Sequence, residues 1–257
     1  MIFNVGAAAA GGYPEFTYSG EYTFIEDSDK DWRIKFLTSG KLTFTKLGNA
    51  KKGIDVFLVG GGGSGGYGTM QNGYTIGFAC GGSGGYNTLD VATPEKSAEY
   101  EIVVGAGASK ATARGKGKTG GTSSAFGFEA DGGGGGGVIG WNSWPYIAGD
   151  PGGSGGGGEQ GNGGSNGSDG TGYYATEGSG VNSYEFREES SGTLYGGGGI
   201  GGKTNENQGN YPGDGGGGTT GASGETNTGG GGGGTWDYNP GGTGGSGIVI
   251  IRNRRAS

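Results

Sequence analysis

The chain contains no histidine. That removes the commonest general base, metal ligand and near-neutral pH switch. With it goes any nucleophilic site built on a Ser/His or Cys/His pair. Cys80 is the only cysteine, so neither an intrachain disulfide nor a cysteine-based metal site can form. There are only 6 prolines and no sustained Gly-X-Y period, which excludes a collagen-like triple helix. No apolar run approaches the length of a bilayer-spanning helix. Met1 to Ala10 lacks a basic leader and reads as a poor signal peptide. Positive charge is in deficit: the net charge of −7 supports solubility and argues against a nucleic-acid or acidic-membrane partner.

What is abundant is glycine, 75 of 257 residues. A polar, glycine-heavy chain without a period normally signals low-complexity disorder. Here 14 Tyr, 10 Phe and 4 Trp oppose that reading, as do apolar strands at the edges of the glycine blocks. Ile54-Asp-Val-Phe-Leu-Val59 passes directly into Gly60 to Gly66, and Gly244 to Gly247 passes directly into Ile248-Val-Ile-Ile251.

Residues 1–12 read as an attachment arm too small to fold alone, and 13–257 as a single domain. Tyr22 to Ile25 is a short strand. Trp32 to Phe36 alternates strictly, with Trp32, Ile34 and Phe36 on one face and Arg33 and Lys35 on the other, as in a half-buried strand. Lys41 to Thr45 alternates likewise, and Ser39-Gly40 between them predicts a hairpin. Ile54 to Val59 is apolar on both faces apart from Asp55, as a central strand is. Tyr86 to Val91, Glu99 to Val104 and Ser123 to Ala130 read as further strands, with one helical turn possible at Thr93-Pro94. Strands thus occupy 13–130 and 246–252. Glycine segments dominate 60–85 and 131–247, and no ordinary amphipathic helix is predicted.

A chain that leaves a sheet, runs through glycine and returns to the sheet is anchored at both ends. Ordering each backbone residue costs about 1–2 kcal/mol, and glycine more. An isolated polyproline-II helix has no internal hydrogen bonds to offset this. Several packed side by side can bond laterally, through N–H···O and weaker Cα–H···O contacts. Any Cβ would hold the backbones apart, so glycine is required. The expected fold is therefore mainly β: a β-sandwich beside a bundle of glycine-rich polyproline-II helices.

Ile54 to Gly66, Tyr100-Glu-Ile-Val-Val-Gly-Ala-Gly107, Gly120-Gly-Thr-Ser-Ser124 and Gly242 to Arg252 resemble the glycine-rich domain of tail proteins from phages and prophages. More distantly they resemble the glycine-rich region of anaplastic lymphoma kinase. Trp32 to Gly40 is similar to the lead-in of the phage members. In Gly105-Ala-Gly-Ala108, alanine stands where that group commonly has a second glycine. The resemblance implies a jelly-roll or TNF-like sandwich fused to glycine helices. It also implies a virion tail location at a fibre, tail tip or baseplate periphery. Other tail proteins would be met through the N-terminal arm, and a homotrimer is compatible with the fibre setting. In adhesins of this kind, loops between glycine helices meet the host surface.

Candidate chemistry is sparse, and neither a cofactor nor a metal is expected. Glu185, Glu188, Glu189 and Asp214 could supply a two-carboxylate glycosidase site, against the plainer reading of solvated surface acids. Gly115-Lys-Gly-Lys-Thr119 fails as a phosphate loop, because Thr112 stands where glycine is needed and no long helix follows. Lys110, Arg114, Lys116 and Lys118 form a basic loop. Asp27 to Asp31 fails as a calcium loop at Trp32 and reads as a polar hairpin turn. Asn166-Gly-Ser168 is a formal glycosylation sequon.

The stronger signal is aromatic residues between glycine blocks, with Asn142 as a polar neighbour in the first group: Trp141, Trp144 and Tyr146; Tyr173 and Tyr174; Tyr184 and Phe186; Trp236 and Tyr238. Clustered at one end they would form a surface suited to sugar rings or to a protein receptor. Alternatively each ring covers the glycine rods. The expected function is receptor binding without catalysis. The alternatives are a purely structural virion component and a glycan depolymerase. If the bundle reading holds, Gly133→Val and Gly231→Val each unfold or insolubilise the chain. Unchanged melting of both would remove the bundle.

Overall fold

The computed structural model describes residues 12–28, 31–71, 74–79, 82, 84–140, 147, 149–153, 183–188, 192–201, 213–235 and 239–254. Ten strands build a sandwich: β1 (Glu15–Tyr18), β2 (Tyr22–Ser28), β3 (Asp31–Phe36), β4 (Gly40–Lys46), β5 (Ile54–Val59), β8 (Asn87–Ala92), β9 (Glu99–Val103), β10 (Ser123–Ala125), β11 (Phe128–Ala130) and β15 (Ile248–Asn253). Shorter strands lie among the glycine segments: β6 (Thr69–Gln71), β7 (Tyr74–Ala79), β12 (Val138–Gly140), β13 (Ser183–Tyr184) and β14 (Leu194–Tyr195). Among the described residues the only helices are short 3-10 turns at Gly48–Lys52 and Glu185–Arg187.

One sheet runs β1-β4-β9-β10-β11 and the other β2-β3-β15-β5-β8. All pairings are antiparallel. Inward residues of both sheets form one core, including Trp32, Ile34, Phe36, Leu42, Phe44, Val56, Leu58, Ile102, Val249 and Ile251. At about 1.5–3 kcal/mol per fully buried apolar side chain, this core supplies the main drive for the sandwich.

Three expectations are corrected. First, β3 and β4 are not a hairpin. β3 pairs with β2 and β15, whereas β4 pairs with β1 and β9 in the opposite sheet. Alternation identifies the buried face of each strand but not its neighbour, and here the two faces meet across the core. Second, Ser123 to Ala130 is a hairpin rather than one strand. Phe126 (φ 55°) and Gly127 (φ 85°) both sit in the left-handed region, the pattern of a two-residue type I′ turn. Third, Thr93-Pro94 starts no helix; the chain turns at Ser97, with φ 65°. The β6–β7 hairpin was not anticipated within 60–85.

β5, β9 and β11 run out into Gly60, Gly105 and Gly132, while β8, β10 and β15 are entered from Gly85, Gly121 and Gly247. Alternating strand directions bring all these junctions to one end of the sandwich. There Gly247 donates to the Gly105 carbonyl and Gly61 to that of Gly121. The glycine segments thus form a cap. The opposite end, the base, holds residue 12, the 93–98 connection, the Phe126–Gly127 turn and Arg254.

Within the cap, Gly60–Gly66 is buried along its length. It is ringed by residues 82, 84 and 85 and by segments 105–108, 115–121, 131–137, 229–233 and 242–245. The amides of Gly61, Ser64 and Tyr67 donate to the carbonyls of Gly121, Lys118 and Gly115. Those of Gly62 and Gly65 donate to Gly245 and Gly242, and Gly133 and Gly136 donate to Gly61 and Ser64. Farther out, Gly231 and Gly234 donate to Gly197 and Ile200. Every third residue therefore meets the same neighbour. Ala106 is exposed and Ala108 bonds on both sides, to Gly62 and Gly244, so the alanines of 105–108 are accommodated.

A Cβ at Gly62 would lie 2.0 Å from the Gly230 carbonyl oxygen, and one at Gly231 2.0 Å from that of Gly82. These are backbone atoms, which cannot swing aside. Relief would break lateral hydrogen bonds whose buried partners cost about 1–3 kcal/mol each when left unmade. Gly62→Ala and Gly231→Ala are therefore expected to lose more than about 4 kcal/mol. Gly127→Ala, with nothing within 4 Å of the added carbon, should lose only about 1–2 kcal/mol through its backbone conformation. Chemical denaturation of the three variants measures the contrast.

Candidate functional site

The cap tip is built by paired stems. Val138 and Ile147 exchange backbone hydrogen bonds of 2.8 and 2.9 Å, closing the loop that carries Trp141, Asn142, Trp144 and Tyr146. The Thr235 hydroxyl donates to the Asn239 carbonyl at 2.7 Å, closing the loop that carries Trp236 and Tyr238. Tyr67 bridges both Pro240 and Gly115, and the Ile147 side chain lies beside Gly115. The stems of both loops therefore meet around Tyr67, at the far end of the central rod. The eight residues Trp141, Asn142, Trp144, Tyr146, Tyr173, Tyr174, Trp236 and Tyr238 themselves lie outside the described residues, as do Glu189, Asn166 and Cys80.

The basic loop adjoins these stems. Lys116 pairs with Asp150 at 2.6 Å, and Lys118 donates to the Ser109 hydroxyl at 3.0 Å.

Tyr184 and Phe186 belong to a different place. Residues 183–188 and 192–195 form a strap over the outer face of the β2-β3-β15-β5-β8 sheet. Phe57, Val59, Ile248 and Ile250 point outward from that sheet and pack with Phe186 and Tyr195. Phe186 is 3 % exposed, with its ring centroid 5.8 Å from that of Phe57 and the Arg252 guanidinium 4.1 Å above it. It is a core residue and contributes nothing to an exposed face. Tyr184 is half-buried. Phe186 and Arg187 both adopt positive φ (52° and 61°), which costs about 1–2 kcal/mol per residue. Burial of the phenylalanine ring offsets this.

The strap is locked by charge. Glu185 is 1 % exposed. It accepts from Arg33 Nη1 at 2.7 Å, Lys35 Nζ at 2.6 Å and the Tyr195 hydroxyl at 2.9 Å. Burial alone would push its carboxyl up. The hydrogen bonds and charges of Lys35 and Arg33 outweigh that and hold it below the usual carboxylate range. Burial, then the Glu185 charge, pushes the Tyr195 hydroxyl well up. Arg252 donates from Nε to Asp55 at 2.9 Å and pairs with Glu188 through Nη1. The expectation of solvated surface acids is thus corrected for Glu185. A carboxyl held ionised in this way is also unsuited to protonating a leaving group. Asp214 is exposed.

This cluster was missed in the sequence, although a signal existed. Ile54 to Val59 and Ile248 to Ile251 are apolar on both faces, which requires a cover over the outer face. Arg33 and Lys35 share that face, so the cover had to bring an acid. Among the described residues no group of His, Cys, Asp and Glu could hold a metal ion, and no helix is long and apolar enough to cross a membrane.

A family model described as a glycine-rich domain matches residues 38–254. The chain belongs to that family. No curated protein matches it.

Because Glu185 titrates lower in the folded chain than its ordinary value of 4.5, its ionised form stabilises the fold above that pH. This contribution is lost as pH falls through the lowered folded value. Melting temperature is accordingly expected to drop on acidification below about 4.5 in the parent, and less steeply in Glu185→Gln. At neutral pH the variant should already be about 3 kcal/mol less stable, since it removes the carboxylate that two largely buried cations share.

Proposed function

We propose that this member of the glycine-rich domain family is a tail protein of a phage or prophage virion. It binds a host cell-surface receptor, a glycan, through the loops at the cap tip. It performs no chemistry of its own. Residues 1–12 form the arm that docks on other tail proteins, and residues 13–257 act as one domain.

The observation that carries this reading is the polarity of the molecule. Described residues enter the sandwich at the base, where the Asn49 amide donates to the Gly12 carbonyl at 2.6 Å, and leave it there at Arg254. The described glycine segments sit at the other end, and the stems of two aromatic loops meet at its tip. An anchored base and a presented tip suit an adhesin. We take the cap segments to be polyproline-II helices, because a partner at every third residue matches a helix of three residues per turn. Such rods fix the stems while leaving the loops between them free to differ in sequence. Repeated copies on a virion would turn weak glycan contacts into avidity.

The test is pull-down of the purified protein on intact cells and isolated wall glycans from a panel of candidate hosts. It runs beside a variant with Trp141, Trp144, Tyr173 and Trp236 changed to Ala and matched in melting temperature. Saturable binding by the parent, lost in the variant, is expected. Absence of binding to every host would replace receptor recognition by a purely structural place in the virion. Release of reducing sugar would replace it by a depolymerase.

A further inference from the structure

Residues 105–121 carry four cations, Lys110, Arg114, Lys116 and Lys118, and no acid, in a chain of net charge −7. All four are exposed. The rod beneath them sets where they point. A Cβ at Gly117 or Gly120 would meet the carbonyl oxygens of Ser64 and Gly61, so these positions, three apart, face the central segment. In a backbone of about three residues per turn, Lys116 and Lys118 then point away from it on two outer flanks. Their contacts agree: Lys116 reaches Asp150 at 2.6 Å on one side, and Lys118 reaches the Ser109 hydroxyl at 3.0 Å on the other.

The cations gather as two pairs. The bond to Ser109 brings Lys118 beside Lys110, the next residue in the chain. Arg114 and Lys116 flank Gly115, which exchanges backbone hydrogen bonds with Tyr67 where the aromatic-loop stems meet. Lys118 is level with Ser64 and Gly115 with Tyr67. The pairs therefore lie roughly 9 Å apart along the rod, at about 3.1 Å per residue. Few acids offset them. Asp150 pairs with Lys116. Asp237 belongs to the loop closed by Thr235 and Asn239, outside the described residues. Asp131 and Glu225, on adjoining segments, lie beside Gly60 and Gly245, nearer the sandwich. The fold does not call for this charge. The segment is held by backbone hydrogen bonds, and a partly exposed pair such as Lys116–Asp150 adds little. Like charges gathered together cost stability instead.

We propose that this flank of the cap binds an anionic polysaccharide. Phosphate or carboxylate groups recurring along the polymer meet the two cation pairs, and its sugar rings run on toward the aromatic loops. A single anion could engage only one pair, whereas a polymer engages both. The Arg114 guanidinium offers a planar fork to either anion, and the lysines act as point charges. The inference rests on the reading of the cap tip as the receptor-binding end, and names the class of glycan that end takes.

The experiment is titration of the full chain onto immobilised polygalacturonate, glycerol-phosphate wall polymer and neutral dextran, at about 0.02 M and about 0.3 M salt. One variant carries Lys110→Gln, Arg114→Gln and Lys118→Gln. A control carries Lys51→Gln, Lys52→Gln and Lys96→Gln, which removes the same charge from the base. All six positions are exposed, and Lys116 is kept so that Asp150 retains its partner. Both variants are matched to the parent in melting temperature. At least one polyanion is expected to bind saturably at the lower salt, and at least roughly tenfold more weakly at the higher. Dextran should not bind. The cap variant should lose roughly tenfold in affinity and the base control less than about twofold. The polymer bound more tightly identifies the anion as carboxylate or phosphate. Failure of both polyanions to bind would overturn the proposal, as would equal losses in the two variants or equal binding of dextran. Intact host cells separate this inference from the reading it rests on. Parent-like attachment of the cap variant to a host that the parent binds would remove the anionic class and leave receptor recognition standing. Polyanion binding without attachment to any host would support the anionic flank and remove the receptor.

Discussion

The rest of the structure depends on backbones touching with no side chains between them. Buried N–H and C=O groups must find partners. In the cap the central segment Gly60–Gly66 is buried along its length, and the amides of Gly60, Gly61, Gly62, Ser64 and Gly65 donate to carbonyls of neighbouring segments. A single methyl group at Gly62, Gly63 or Gly244 would come within about 2 Å of a facing carbonyl. Each segment is therefore stable only while its neighbours are present, and the ensemble is cooperative although no segment could persist alone.

The sandwich solves the entropy problem that glycine creates. Strands fix both ends of the glycine segments at one face, so the cap begins from registered starting points rather than from free chain. β15 is central here. It lies between β3 and β5, so the sheet is complete only with a strand that follows the whole glycine region in sequence. Loop-closure entropy of that length is offset by a fully buried strand, Ile248–Asn253. The strap adds a second layer on the outer face. Its ion pairs are specific more than strongly stabilising, since burying Glu185 has a desolvation cost that Arg33 and Lys35 must first offset.

How much was legible varied by the kind of signal. The inward residues of β3 and β4 followed from alternation, and the two-faced burial of β5 from its apolar run. The pairing of β3 with β15 did not, because strand partners so far apart in the chain, such as Val249 and Phe36, leave no local trace. The hairpin at Phe126–Gly127 was hidden because Phe occupies a position where Asn usually announces the turn. Phe186 stands in the sequence as a candidate surface aromatic, with burial as the alternative. It is buried because its backbone turns through the left-handed region, which nothing in Tyr184-Glu-Phe186 reveals.

By itself the sequence determined the composition of the two halves: alternating strands with inward aromatics, glycine blocks too dense for any Cβ, and strand-to-glycine junctions that tie one to the other. These are local properties, set by side-chain size and backbone freedom. Only the tertiary structure decided that all junctions share one end, that Glu185 is buried against Arg33 and Lys35, and that Arg114 and Lys116 flank the meeting point of the aromatic-loop stems. Each of these depends on which segment lies beside which, and that is settled by packing energy summed over the whole chain rather than by any one segment.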